Sequence, residues 1–600
     1  MKQSNNLIQE LRQLLSYLDN RRRSQLALLI ILMLLSSLSE VVSLGAVIPF
    51  LGALSNTSSL LDNPTLKPIL AFFNIQSSYH LVIALSVIFI VAVIFTSVIR
   101  ILTINIQTHL AAIISSDLSC QIYNKTLLQP YEFHLMQNSS ELINSVTTDT
   151  RQLTNAILIP LISAVSTSFI SVALILALFL INTFAAFFVV FVLGGIFVLL
   201  YFLRRKLLAQ NSQVLVANTQ KQIRVVQESL GGIRDVLLGG THRFFQTAYR
   251  NSDRPFRHAL ASNTTLSLTP RYIVEGAAMV AMALLALSLG KDGDFSLAVP
   301  VLGSLALGAN RLLPALQQTF SSLVKIQGAR SSLRRLLAGL QLGVDPLSNW
   351  QPEEGLVLEK ALVFENVWFR YSEQTSWVIK NLNLTINAKT TVGFVGSTGS
   401  GKSTTADLIL GLLKPKKGII WVDGKPLEGE RQRQWQGCLA HVPQHIFLSD
   451  ATITENIAFG MPLSQIDLAR VEKSAKLAQI DHFIQGLPDK YNTFVGERGV
   501  RLSGGQKQRI GIARALYGET SVIIFDEATS ALDNSTERDV MESIVNLSHH
   551  FTVILIAHRL STVAVCDRIF ELNQGQLVCE GTYQELLEKS PTFRNMASSF

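Results

Sequence analysis

Charged side chains are scarce in this 600-residue sequence: Asp, Glu, Lys and Arg make up 16% of it, against about 25% in an ordinary soluble chain. At roughly 150 residues per domain the length would suggest about four soluble domains. The charge deficit, 48% hydrophobic residues and a mean hydropathy of +0.33 exclude that arrangement. Cysteine is nearly absent. Cys120, Cys438, Cys566 and Cys579 lie far apart without ligand spacing, so neither a disulfide framework nor a zinc site is implied. Repeats and low-complexity tracts are missing too. The net charge of +8 invites a nucleic-acid reading, but the basic residues flank long apolar runs instead of interleaving with aromatics, which is a membrane pattern. Nucleic acid is therefore set aside as a partner.

What charge there is divides the chain in two. Residues 1–335 carry 26 basic and 14 acidic side chains, and residues 336–600 carry 25 and 29. In the first part, residues 7–18 place Leu7, Leu11, Leu14 and Leu18 at helical spacing ahead of Arg21, Arg22 and Arg23, which predicts an interfacial helix over residues 1–23 along the inner membrane face. The run from Ser24 to Phe50, broken only by Glu40, reads as a first span and is too long for a signal-peptide core. Between Lys67 and Arg100 there are 32 residues without Asp, Glu, Lys or Arg, and between Arg151 and Arg204 there are 52. A span needs about 20. The longer run is therefore two spans folded at Asn182-Thr183. Two more fit Tyr272 to Gly290 and Phe295 to about Leu313, giving six. Ten basic residues between Arg204 and Arg257, with the triplet before span one, put both termini in the cytoplasm. Residues 111–150 and 204–268 are polar and helix-compatible, and are read as helical extensions.

The predicted fold is thus an all-α six-span membrane domain over residues 24–331, a linker at 332–355 containing Gly339, Gly343 and Pro346, and a cytoplasmic α/β domain over 356–600. In the last of these, strand-like runs at Thr390–Val395, Ser521–Phe525 and Phe551–Ile556 alternate with helical ones.

The chemistry lies in that α/β domain. Gly396-Ser397-Thr398-Gly399-Ser400-Gly401-Lys402-Ser403, followed by Thr404, leaves a strand and opens a helix, which is the setting of a P-loop. Glycines let the backbone wrap close to phosphate while N–H groups and the helix N-terminus point at the anion. Lys402 neutralises the β and γ phosphates, and Ser403 offers a hydroxyl to magnesium. The apolar strand from Ser521 ends in Asp526 and Glu527, placing one carboxylate near the metal and the other where it can polarise the attacking water.

Leu502-Ser503-Gly504-Gly505-Gln506, with the P-loop and the strand carboxylates, resembles the nucleotide-binding domain of ATP-binding cassette transporters, and the match spans the whole second part. The resemblance implies ATP and Mg2+ as cofactors. It gives Tyr371 a stacking role on adenine, and Gln444 contact with magnesium and water. It puts Asp533 at a dimer contact and His558 on the γ-phosphate. In such transporters each ATP lies between the P-loop of one domain and the Leu-Ser-Gly-Gly-Gln of another. With one complete set per chain, the resemblance implies a homodimer. Six spans followed by a cassette resemble exporters.

Charged residues inside spans are costly and mark function. Counted from outer ends near 81, 290 and 295 at 1.5 Å per residue, Arg100 and Arg271 lie about 28 Å down and Arg311 about 24 Å down, a shared level suited to gripping phosphate. The segments around Glu40, Pro270-Arg271-Tyr272 and Arg311-Leu312-Leu313-Pro314 resemble the bacterial lipid-linked oligosaccharide flippase of the N-glycosylation type. There, matching arginines engage the pyrophosphate of a polyprenyl-linked glycan, and Pro64–Phe73 is similar to its short external helix. The expected activity is ATP-driven flipping of such a glycolipid from the inner to the outer leaflet of the bacterial inner membrane. Lipid A, polysaccharide and multidrug or peptide exporters share the architecture and stay open.

Overall fold

A computed structural model describes residues 7–55, 77–181, 183, 187, 191, 194–289, 298–344, 355–518, 520–527, 551–557 and 560–598. Packing divides the chain into two compact units, Met1–Leu128 with Gln137–Val344, and Gln129–Met136 with Asp345–Phe600.

Among the described residues, the first unit is built of helices without strands. The long ones are Asn20–Ser55, Ser78–Leu127, Ile159–Ile181, Gly195–Gly231, His242–Leu289 and Ala298–Gly328. Among the described residues, Asn20–Val47, Ser78–Leu127 and Ser140–Leu180 are long and apolar enough to cross a membrane. Parts of the other three expected spans, the turn at Asn182, and Pro64–Phe73 lie outside the described residues. The 50-residue Ser78–Leu127 helix is about 75 Å long, more than twice the roughly 30 Å thickness of a bilayer's hydrocarbon. Small polar residues line its contact with Asn20–Ser55. Ser36, Ser39, Ser43, Thr96 and Thr103 are buried, and Thr96 Oγ1 donates to the Ser39 carbonyl at 2.9 Å. Between membrane helices such residues let backbones approach closely.

The Leu7–Ser16 helix forms as its spacing predicts, but protein covers one side of it. Leu14 and Leu18 are buried in a cluster with Leu333 and Leu336, while Ile8 and Leu15 stay exposed. Glu10, 3% exposed, accepts from Arg330 Nε at 2.8 Å and Arg334 Nε at 2.7 Å. Those arginines belong to the Arg330–Gln341 helix, which occupies the first part of the stretch read as linker and buries Leu333, Leu336, Leu337 and Leu340.

The second unit holds two sheets. Strands β1 (Ala361–Phe369), β2 (Ile379–Asn387), β4 (Lys417–Val422) and β5 (Lys425–Pro426) form an antiparallel sheet in the order β2-β1-β4-β5. Strands β3 (Thr391–Val395), β6 (Leu439–Val442), β7 (Val522–Asp526), β8 (Thr552–Ile556), β9 (Arg568–Asn573) and β10 (Gln576–Gly581) form the other, ordered β10-β9-β3-β8-β7-β6. All its pairings are parallel except β9 with β10. Every residue of β3 and β8 is buried, the continuous apolar run expected of a parallel strand covered on both faces. In such sheets ligands bind beyond the carboxyl ends of the strands, where β3 and β7 deliver the P-loop and the paired carboxylates.

Candidate functional site

Leaving β3, the chain turns at Gly396 with φ +148°, where a Cβ would stand 2.1 Å from the Leu572 carbonyl oxygen. Only glycine fits there. Gly401, at φ +103°, caps the Lys402–Ile409 helix. Lys402 is 6% exposed, and its Nζ donates to the carbonyl oxygens of Gly396 at 2.7 Å and Ser397 at 3.2 Å. Burial lowers the pKa of its ammonium, opposed by the charges of Glu527 and then Asp526. Ser400 Oγ is buried without a hydrogen-bond partner, an orphan that a phosphate oxygen would satisfy. The loop thus fits a polyphosphate. Ser403, on the first turn, is exposed.

Four buried residues of β7 lead to Asp526 and Glu527. Glu527 adopts φ +50°, a left-handed conformation that costs about 1–2 kcal/mol in a residue with a Cβ. Its N–H donates to the Ile556 carbonyl at 2.9 Å, tying the strained turn to β8. Strain of this kind collects at functional sites. Glu527 Oε2 accepts from Gln444 Nε2 at 2.6 Å, which joins two residues 83 positions apart.

Asp407, which the motif reading missed, also belongs here. Burial, followed by the like charge of Asp526, pushes its carboxyl up to about 6. An unfolded Asp titrates near 4. Ionisation is therefore harder in the folded state, and the stability this group confers, complete below about pH 4, is lost as pH rises through 6. The melting temperature should fall between pH 5 and 7 more steeply in the parent than in Asp407→Asn, which has no proton to lose. Equal slopes in thermal scans would show that another group is responsible.

Tyr371 Oη shares a hydrogen bond with Thr404 Oγ1 at 3.0 Å, and its ring packs edge-on against Phe369. That fixes an aromatic face beside the P-loop helix. The Ser503 and Gln506 side chains engage each other in a capping box. Ser503 N–H donates to Gln506 Oε1 at 2.9 Å, and Gln506 N–H donates to Ser503 Oγ at 3.3 Å, opening the 14-residue Gly504–Tyr517 helix. Asp533 and His558 lie outside the described residues.

A second omission is the short helix Tyr131–Met136, which falls inside the stretch read as a continuous extension. It belongs by its packing to the second unit. Tyr131 packs in the cluster containing Phe369 and Tyr371. Burial and then the charge of Asp407 raise the pKa of its phenol. Glu132 pairs with Lys416 at 3.1 Å. Pro130, which breaks the preceding helix, was the available signal.

In the first unit the three arginines separate. Arg100 Nη1 reaches Glu40 Oε1 at 3.2 Å, and Arg311 Nη1 reaches Glu40 Oε2 at 2.8 Å. Glu40, only 3% exposed, thus gathers guanidiniums from two other helices, and all three side chains line one cavity of about 610 Å³. Arg271 is not among its lining residues. It lies 3.8 Å from Glu275 of its own helix.

Comparison with known proteins agrees with this architecture. The family described as ABC transporter matches residues 379–530, and the ABC transporter transmembrane region matches residues 26–289. The ATP-dependent lipid A-core flippase of Cupriavidus pinatubonensis is 31% identical over 476 residues, covering 78% of this chain and 79% of the relative. The heterocyst differentiation ATP-binding protein HepA of a Nostoc species is 36% identical over 370 residues, covering 61% and 59%. Among solved structures, a bacterial Atm1-family ABC exporter with ATP bound superposes with a TM-score of 0.75 at 23% identity, covering 97% of this chain and 99% of that one.

Proposed function

Since the chain belongs to the ABC transporter family, as an exporter in which ATP hydrolysis drives transport, we propose that its cargo is a phosphorylated glycolipid, flipped from the inner to the outer leaflet of the bacterial inner membrane. The supporting observation is the pair Arg100 and Arg311, gathered by Glu40 on one cavity. A phosphate headgroup crosses hydrocarbon only where paired charge replaces its water, and arginine supplies that charge through paired donors without losing its proton. Arg271 is assigned to the same task from its place in the sequence motif. The narrower reading is a polyprenyl-pyrophosphate-linked oligosaccharide. Relatives named lipid A-core flippase favour a second, lipid A-core, which also carries phosphate on sugar.

The working unit is a homodimer, because each chain supplies one P-loop and one Leu502–Gln506 segment. ATP is held by Tyr371, the loop Gly396–Thr404 and the partner's signature segment. Mg2+ would be held by Ser403, Gln444 and Asp526, and would supply charge neutralisation on the phosphates. Glu527 orients the attacking water, with His558 on the γ-phosphate. In proteoliposomes containing labelled lipids, ATP should drive outward movement of a polyprenyl-pyrophosphate glycan or of lipid A-core, and not of a neutral glycolipid. Equal movement of the neutral lipid would remove the phosphate reading, and the faster of the two phosphorylated lipids identifies the cargo class.

A further inference from the structure

The cavity that holds Arg100 and Arg311 has an uncharged end, and one side chain there is unsatisfied. Gln107 follows Arg100 and Thr103 on the Ser78–Leu127 helix at spacings of seven and four, which puts all three on one face. It lies about 10 Å along the axis from Arg100. Gln107 is 9% exposed, lines the cavity, and its Oε1 is buried with no hydrogen-bond partner. Two other polar residues of the lining have partners of their own: Gln318 Nε2 donates to Ser163 Oγ at 3.1 Å, and Thr167 shares a hydrogen bond of 2.7 Å with Thr319. Among the described lining residues, the only charged ones are Glu40, Arg100 and Arg311, tied together at the other end.

An unpaired buried acceptor is costly and needs a donor. A lipid tail has none. A phosphate oxygen is itself an acceptor and would be repelled. A sugar hydroxyl or acetamido N–H is the donor that would accompany a phosphate held at Arg100 and Arg311. We infer that Gln107 forms a neutral sugar subsite, its Oε1 accepting a hydrogen bond from a hydroxyl or N–H of the ring that adjoins the cargo's phosphate. The assignment rests on the phosphorylated-glycolipid reading. It adds that the protein reads the sugar as well as the charge, with the Arg100 guanidinium and the Gln107 amide spaced along one helix face, and Arg311 brought in from another helix, to bind the two parts of a single headgroup.

The test compares two lipids on the reconstituted full chain: a polyprenyl pyrophosphate carrying one N-acetylhexosamine, and the same lipid without sugar. The readout is the concentration that half-maximally stimulates ATP hydrolysis. Gln107→Met keeps the length and loses the acceptor. It should raise that concentration about tenfold for the sugar-bearing lipid, the loss of roughly one hydrogen bond, and leave it unchanged for the sugar-free lipid. Gln107→Asn, which withdraws the amide by one methylene, should show the same selective loss at smaller size and guards against misfolding of the first variant. Arg311→Ala should weaken both lipids. If both Gln107 variants respond to the two lipids with equal shifts or with none, the acceptor serves water alone and the subsite is overturned. If neither lipid stimulates the parent, the polyprenyl-pyrophosphate reading falls, and the subsite for its sugar falls with it.

Discussion

Glu527→Gln should bind ATP yet hydrolyse it at least about a hundredfold more slowly than the parent, the usual scale for losing a positioned base. The substitution preserves shape. The left-handed turn at this position is held by its N–H on the Ile556 carbonyl, a main-chain bond that the side chain does not touch. The P-loop backbone is not displaced, because Lys402 and Ser400 approach phosphate from β3 rather than β7, although Lys402 loses the charge of Glu527 that opposes the effect of its burial. The carboxylate that polarises water is the element removed. Phosphate release measures the loss, and retained nucleotide measured on the same sample shows that binding survives. ATP-loaded variant should also hold two chains together, since each nucleotide is closed by the Ser503–Gln506 segment of the other, and light scattering would report the paired mass. Turnover at the parent's rate would remove Glu527 from the assigned role. Lys402→Ala should instead lose nucleotide affinity.

Arg311→Ala should slow outward movement of a labelled lipid-pyrophosphate by roughly ten- to a hundredfold, the value of one or two charge-assisted hydrogen bonds, with ATP affinity unchanged. Two effects act in the same direction. A guanidinium is lost, and Glu40, 3% exposed, is left with Arg100 alone at 3.2 Å, so the level no longer carries surplus positive charge. Arg311→Lys should recover part of the rate, because charge returns without the paired-donor fork. Glu40→Gln, which frees both guanidiniums, should tighten anion binding. If Arg100→Ala and Arg311→Ala both move the lipid as fast as the parent, these arginines are interfacial anchors, and a cargo without phosphate takes their place.

The P-loop and the paired carboxylates at the end of β7 were legible in the sequence because their motifs are local, whereas Leu502–Gln506 was read by its resemblance and not as the capping box it forms. A hydroxyl opening a helix is specified by neighbours in the chain, whereas the close approach that demands glycine at 396 comes from the Leu572 carbonyl, far off in sequence. Asp407 was not legible, because its perturbation comes from burial and from Asp526, far off in sequence. The depth count brought Arg100 and Arg311 to one level, and Glu40 joins them. It could not see Arg271 beside Glu275, since rise along a helix carries no information about which way a side chain faces. Nor could helical spacing show that Leu14 and Leu18 are covered by protein, because apolar spacing is the same whether the covering surface is lipid or another helix.

Glu10 and Arg330 stand 320 positions apart. At about 5–20 residues per second, the ribosome needs roughly 15–60 s between making one and making the other, and for that interval the Leu7–Ser16 helix has a carboxylate without its partners. Docking of this helix is therefore a late event in biosynthesis, waiting on a segment made after the six long helices. A nascent chain arrested before residue 330 should leave the helix open to protease, and one released beyond residue 341 should protect it.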